Sequence, residues 1–413
     1  MSRTVLWSVP VLGGLLLTWL LIGYSKPVIG AHPQVAMYSS WHGMSAREQA
    51  RWDFVILEPA RYSPKADSLR LMRKLNRKLV LLAYVQGGRF FVCGPGWQGG
   101  PLVPGCDTTT QAWATYSAVR ATDGFLWDVS GKPFNGGGYI DFSKPGVAEA
   151  LADTFAAWSA ASGAFSGIFT DGPCYSMLWE AAGVDYARSG YASLAQWDSA
   201  FSVGVGRYFK RLRLNVGTGY VVGNCGPIGP ATANGWMAEN FPHQNPVGWG
   251  AWHDVLNDAD TIYTAPRLSW ITTARYGREP DDPSLKRDWR FGLASACMHD
   301  NVVHALVGTG FDPLRGYLPW WCEEFSVDRS GNADSTGRNR GWLGRPLGSA
   351  RPQGACWRRD FYGGCVLVNP TDIPAMVTLG RGFYRIRGTG ANPGEQVSVV
   401  LIPPKDGLFL QRR

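Results

Sequence analysis

Short apolar runs alternate with amphipathic stretches from residue 35 to about residue 310. The runs at 35–40, 54–57, 79–85, 167–170, 220–223, 236–238, 268–272 and 302–307 are four to seven residues or shorter, carry β-branched and aromatic side chains, and end in turn formers. They predict eight strands. Helical spacing appears between many of them, at 45–51, 67–78, 145–162, 193–214 and 283–298; in the second of these Leu69, Leu71, Met72 and Leu75 gather to one side. Strands separated by helices predict parallel βα units, and eight such units close into a (β/α)8 TIM barrel. A doubly wound open sheet is the main alternative. It would normally carry a glycine-rich phosphate turn after the first strand, and Ser39-Ser-Trp-His-Gly43 is not one. A long insertion rich in Gly, Pro and aromatics, 87–139, precedes the fourth strand. From about residue 351 the helices stop and short alternating strands follow, which predicts a small C-terminal antiparallel β domain. The expected division is therefore 1–30 as an N-terminal targeting segment, 31–350 as the catalytic barrel and 351–413 as the all-β domain.

The chemistry lies where the apolar runs stop. Gly167-Ile-Phe-Thr-Asp171 ends in a carboxylate, and Gly172-Pro173 can only turn; Trp236-Met-Ala-Glu239 repeats the pattern. In a barrel, the C-terminal strand ends face one cleft, so two acids distant in sequence can meet there. Cleaving a glycosidic bond takes two carboxyl groups, one to protonate the leaving oxygen and one to attack the anomeric carbon or activate water. Asp171 and Glu239 are accordingly the expected catalytic pair. Glu58 ends the second strand and is a third acid, expected to bind sugar or water. Aromatic rings suit the apolar faces of sugars, and Tyr38, Trp41, Tyr84, Tyr175, Trp236 and Trp270 fall near strand ends. Gln86, Asn224 and Asp300, with His42 and His243, are expected to bind hydroxyls.

Composition sharpens this. Charged residues make up only 17% of the 413, against 52 Gly, 27 Pro and 19 Trp, which suits a loop-rich extracytoplasmic protein. The net charge of +8 is scattered, and the small clusters at 70–78 and 210–213 read as helix faces; with no recognition fold, no nucleic acid is expected as a partner. Residues 5–24 hold no charge and follow Arg3, so the N-terminus is either a cleaved signal peptide or a membrane anchor. Either places 31–413 outside the cytoplasm. Eight cysteines in an exported chain predict disulfides; Cys93–Cys106 and Cys356–Cys365 are the expected pairs. No Cys-x-x-Cys, His-x-His or His-Glu-x-x-His spacing occurs, so neither metal nor other cofactor is expected, and no Gly-x-Ser-x-Gly elbow points to an esterase.

Four segments, Phe169-Thr-Asp171-Gly, Ala238-Glu239-Asn, Arg340-Gly-Trp-Leu-Gly-Arg-Pro346 and Arg359-Asp-Phe-Tyr-Gly-Gly-Cys-Val-Leu-Val-Asn-Pro370, carry a resemblance. In their order the chain resembles, over residues 35–410, the glycoside-hydrolase-like TIM barrels of bacterial exported proteins. These are distant relatives of the α-galactosidase and polygalactosaminidase barrels. The resemblance implies a retaining arrangement with Asp171 as nucleophile and Glu239 as proton donor. The insertion before the fourth strand departs from that pattern. The expected function is an exported glycoside hydrolase acting on a polysaccharide or oligosaccharide. The alternative is a glycan-binding barrel without turnover, serving polysaccharide export or cell-surface assembly.

Overall fold

The computed structural model describes residues 30–38, 44–57, 66–88, 111–134, 138–178, 181–224, 229, 231–239, 241, 248–273, 282–306, 311–312, 316–317, 321–387 and 394–413. Eight parallel strands form a closed barrel in chain order: β1 (Val35–Tyr38), β2 (Phe54–Leu57), β3 (Val80–Gln86), β4 (Gly167–Asp171), β5 (Tyr220–Asn224), β6 (Gly235–Ala238), β7 (Ser269–Thr273) and β8 (Val302–Leu306). β8 pairs back to β1 through Val35↔His304 and Ala36↔Ala305, which closes the ring. All eight strands lie where the apolar runs end and begin, to within a residue or two.

Period-two alternation explains the two cores. One set of strand residues, Ala36, Phe54, Ile56, Val80, Leu82, Phe169, Tyr220, Val222, Met237, Trp270, Val303 and Ala305, packs together inside the barrel. The alternate set, among them Val35, Val55, Leu81, Ile168, Val221, Trp236, Ala238 and Ile271, faces the surrounding helices. Those helices are α1 (Ala46–Gln49), α2 (Ala66–Leu75), α3 (Gln111–Ala121), α4 (Val147–Ala161), α5 (Leu194–Val216), α6 (Trp249–Ile262) and α7 (Pro283–Ala296). Their starts follow local chemistry. Ser45 and Glu48 form a reciprocal capping box on α1. Ser193 caps α5 by accepting from Gln196 N. Asp282 accepts from Ser284 N, with Pro283 at the first position of α7.

Two elements differ from expectation. The insertion holds α3 and a short bridged segment, Phe125↔Ile140 and Trp127↔Pro133. Helix α6 occupies 249–262, where no helix is expected, because its Trp, His, Asn and Thr are weak helix formers and tertiary packing of Trp249, Trp252 and Leu256 sustains it. The basic clusters are also more than solvated faces. Arg73 bonds Ala164 O and Ser166 Oγ, and Arg213 caps the chain after α5 through Gly217 O and Gly219 O.

The C-terminal region is a six-stranded antiparallel sheet: β11 (Arg351–Gln353), β12 (Cys356–Phe361), β13 (Gly364–Asn369), β14 (Ala375–Arg385), β15 (Gln396–Ile402) and β16 (Asp406–Arg412), in the order 11-12-13-16-14-15. A two-stranded ribbon, β9 (Phe311–Asp312) with β10 (Gly316–Tyr317), precedes it. Two of the short alternating runs after residue 351, at 375–379 and 382–386, are not separate strands but one, β14, with a register shift between Thr378 and Phe383. The sheet sits on α7. A side chain at Gly407 would lie 2.4 Å from Ala294 Cβ and 2.6 Å from Arg290 O, so only glycine lets β16 come this close. Arg290 grips Asp406 with two hydrogen bonds, at 3.1 and 2.7 Å. The segment after Arg340 is a clasp: Arg340 pairs with Asp53 at 3.0 Å, and Leu343 N donates to His32 O. That motif therefore joins the base of the barrel and does not line the cleft.

Cys356 and Cys365 are both free thiols, which corrects the disulfide expected between them. In the β12–β13 hairpin Cys365 faces Asp360. Cys356 lies four residues further along, about 13 Å away at strand spacing, too far for a disulfide. Cys297 and Cys322 are also free. Any partner of Cys174 must be Cys93, Cys106 or Cys225, which lie outside the described residues, as does the expected Cys93–Cys106 pair. Among the described residues no helix is long and apolar enough to cross a membrane.

Candidate active site

The inward-facing series of four adjacent strands continues past the packed interior to the C-terminal ends. Above Leu82 come Tyr84 and Gln86; above Phe169 comes Asp171; above Val222, Asn224; above Met237, Glu239. Alternation alone thus puts five polar side chains at one rim of the barrel. Their hydrogen bonds connect them. The Tyr84 hydroxyl donates to Asp171 Oδ2 at 2.7 Å and also lies against Gln86 Oε1. Asn224 Nδ2 donates to Asp171 Oδ1 at 2.9 Å and to Glu239 Oε2 at 3.1 Å.

One nitrogen within bonding distance of both acids fixes their spacing. At 2.9 and 3.1 Å from it, the two oxygens can be no more than about 6 Å apart. The two hydrogens of an amide NH2 diverge by about 120°, which brings the separation to about 5 Å. That matches the roughly 5–5.5 Å of a retaining pair, and is shorter than the roughly 6.5–9.5 Å an inverting pair needs for an intervening water.

The backbone beneath Asp171 is rigidly placed. Gly87 N and Gly88 N both donate to Asp171 O, at 2.7 and 3.1 Å. The close approach requires glycine on both sides: a Cβ on Gly88 would lie 2.2 Å from Gly172 O, and Gly172 has φ +89°. The Gln86-Gly-Gly and Asp171-Gly signals in the sequence are two halves of this junction. Below it, Tyr84 stacks on Phe169 at 6.1 Å, which holds the phenol over Asp171.

The two acids differ in environment. Asp171 is half-buried and accepts a bond on each oxygen. Glu239 meets solvent at the mouth, yet the protein around its carboxyl removes enough water to raise its pKa; the Asn224 N–H works against that rise and the charge of Asp171 adds to it. A carboxyl raised by its surroundings beside one held by donors is the division of labour an acid and a nucleophile need.

Several expected sugar contacts are corrected. Trp270 is fully buried in the barrel interior, between Phe54 and Phe169, one layer below the rim. Trp236 faces outward and stacks on Trp252 of α6 at 6.1 Å. Its position is odd relative to Glu239, so the alternation that turns the acid inward turns the indole outward. Asp300 precedes β8, at the opposite end of the barrel, where it pairs with Arg359 of β12. Tyr175 follows β4 at the correct end; its hydroxyl accepts from Gly229 N at 3.1 Å and its ring stacks on Phe209. Tyr38 is the last residue of β1. Glu58, Trp41, His42 and His243 lie outside the described residues. Asp141, another acid near a predicted loop, is buried and accepts from Ser143, Ser189 and Trp197, a structural role. What the sequence did not reveal is that Asn224 touches both acids. Only its place after an apolar run hinted at the site.

No protein-family model matches this chain, and no curated protein matches it in sequence. Among solved structures, the chain is similar to the glycoside hydrolase domain of PelA from Pseudomonas aeruginosa, with 14% identity over 67% of this chain and 95% of that one and a TM-score of 0.41. It is similar to the trehalulose synthase MutB from Pseudomonas mesoacidophila MX-45, with 12% identity over 93% and 98% and a TM-score of 0.47. It is also similar to an α-amylase from Geobacillus thermoleovorans, with 12% identity over 88% and 89% and a TM-score of 0.43.

Proposed function

We propose that this protein is a retaining glycoside hydrolase acting outside the cytoplasm on a polysaccharide or oligosaccharide. The observation that carries the reading is the single Asn224 nitrogen, at the end of β5, bonded to both Asp171 at the end of β4 and Glu239 just past β6. In the first step an Asp171 oxygen bonds to the anomeric carbon as the glycosidic C–O bond breaks. The leaving oxygen takes the proton of Glu239, whose raised pKa suits it to hold that proton. In the second step Glu239, now ionised, takes a proton from water as the water oxygen attacks the anomeric carbon. Asp171 leaves as a carboxylate and Glu239 is reprotonated, so the sugar keeps its anomeric configuration. The uncharged segment 5–24 supports export, by a cleaved signal or an anchor, and the cysteines at 93, 106, 174 and 225 support disulfides in an oxidising compartment.

The test is a panel of bacterial polysaccharides incubated with the full chain, with new reducing ends measured and the anomer of the first product read by proton NMR. Release with retention is expected, and Asp171→Asn and Glu239→Gln should each lower the rate by at least about 100-fold while the folded protein persists. Binding to a glycan without any release of ends would replace the hydrolase reading with a binding barrel. Inversion would overturn the nucleophile role of Asp171.

A further inference from the structure

Asn224 is nine-tenths buried at the end of β5, between the two strands that carry the acids. Register places it beside Met237 on β6, two residues short of Glu239, and Thr170 on β4 pairs with the preceding Gly223. Its side chain therefore rises between two carboxyls that would otherwise face each other across the rim. We infer that Asn224 is the positioning residue of this site: its one amide, giving one N–H to each acid, sets their separation and links the protonation of Glu239 to the state of Asp171. This rests on the hydrolase reading for its consequence in turnover, but not for its geometry.

The chemistry requires this side chain. An amide NH2 supplies two hydrogens from one atom, so it can serve two acceptors at once. A serine at 224 would supply one hydrogen and leave one acid unheld. An aspartate would supply none and would place a third carboxyl between two others, and the site would have to protonate or spread apart. An alanine would leave both oxygens to water and free the two side chains to separate. Tyr84 acts on the other oxygen of Asp171, donating its hydroxyl to Oδ2 at 2.7 Å. Tyr84 orients one acid; Asn224 holds the pair.

The coupling follows from the same geometry. While Asp171 is charged, it repels a charge on Glu239, so Glu239 keeps the proton that the leaving oxygen needs. When Asp171 bonds to the anomeric carbon its charge is gone, and the Asn224 N–H remains on Glu239, where it favours the ionised form. The carboxyl is then readied to accept a proton from water. The charge of Asp171 thus favours Glu239 as acid in the first step, and loss of that charge with the amide still in place favours it as base in the second.

The experiment needs no substrate. The chain has nine glutamates, so selective 13C labelling of their carboxyl carbons gives few resonances, and Glu239→Gln identifies the one that belongs to Glu239. Titration of the full chain should show its midpoint move upward in Asn224→Ala, which removes the donor to the charged form, and downward in Asp171→Asn, which removes the repelling charge. A merely structural role for Asn224 would leave the Asn224→Ala midpoint where it is, while the Asp171→Asn shift reports the charge coupling between the two acids. A midpoint unchanged in Asn224→Ala overturns the inference. If Asn224→Ala does not fold, the wild type still decides: the Asn224 side-chain NH2 signals should titrate in step with the Glu239 carbon, and NH2 signals that ignore that titration overturn it. On a cleaved polysaccharide, Asn224→Ala should lower kcat about 100-fold with little change in KM, the signature of a misplaced reacting group; an unaltered kcat would overturn it. Shifted titrations in a protein that cleaves nothing would leave Asn224 as the positioning residue and discard the hydrolase reading, so the two fail separately.

Discussion

His304 shows how a single buried side chain writes a pH dependence into the protein. It faces outward from β8, is fully buried, and bonds Thr273 Oγ1 through Nε2 at 3.0 Å. Burial lowers its pKa to about 3. The unfolded chain would take up a proton near pH 6.5, whereas the folded state refuses it until about pH 3. Stability from this group is therefore complete above pH 6.5 and is lost as pH falls through that window. His32, also lowered to about 3 by burial first and Arg359 second, works with the same sign. Between pH 6.5 and pH 5, His304 should cost the fold about 2 kcal/mol. Urea unfolding at the two pH values checks it: the acid loss should be smaller by about that amount in His304→Gln, which keeps a polar partner for Thr273 without the charge. At the candidate site the place of Asp171 and Glu239 at strand ends was legible from residue order alone. Trp236, Trp270 and Asp300 were not, because nearness to a strand end in sequence fixes neither the face nor the height of a side chain. Parity relative to Glu239 already argued against Trp236. The depth of Trp270 needed the register Met237↔Trp270, which sets it a layer below the acids.

Elements meet through glycines at places where no other residue fits. In α5, a Cβ on Gly204 would fall 1.8 Å from the backbone oxygen of Phe142, so this helix lies directly on the segment that enters α4. That segment carries the buried Asp141, whose oxygens accept from Trp197 of α5 and from Ser189. Gly204→Ala would push the helix off that carboxylate. A loss of about 2–3 kcal/mol is expected, although alanine is the better helix former by about 1 kcal/mol; an unchanged or raised midpoint in urea would show the contact to be slack. The strands and most helices could be read from periodicity. Helix α6 could not, since it owes its stability to Trp249 and Trp252 packed on neighbours rather than to propensity. The fusion of two short runs into β14 was equally hidden, because a bulge looks like a chain break in a one-dimensional pattern.

At the scale of the whole molecule, the barrel and the C-terminal sheet share one seam. Asp406 of β16 is nearly buried, and desolvation raises its pKa while Arg290 of α7 draws it back. Removing Arg290 leaves that carboxyl without its ion pair in a dry place. Arg290→Ala should therefore destabilise the protein by about 3 kcal/mol, the low end for a broken buried pair because the arginine is a third exposed. The check is denaturant unfolding followed by Trp fluorescence and far-UV dichroism. Coincident transitions at lower denaturant are expected if barrel and sheet unfold together, and separated transitions would show two independent units.

The sequence by itself determined the eight strands, the antiparallel tail and the two acids at strand ends, because these are local patterns: apolar period, turn residues, and the place where a run stops. It did not determine which side chains share a face, how deep each sits, or what bonds what. Only closure of the barrel brought β3, β4, β5 and β6 side by side and set one asparagine between two carboxyls. That contact depends on strand register and on the glycine junction beneath Asp171, both of which arise from packing between segments far apart in the chain.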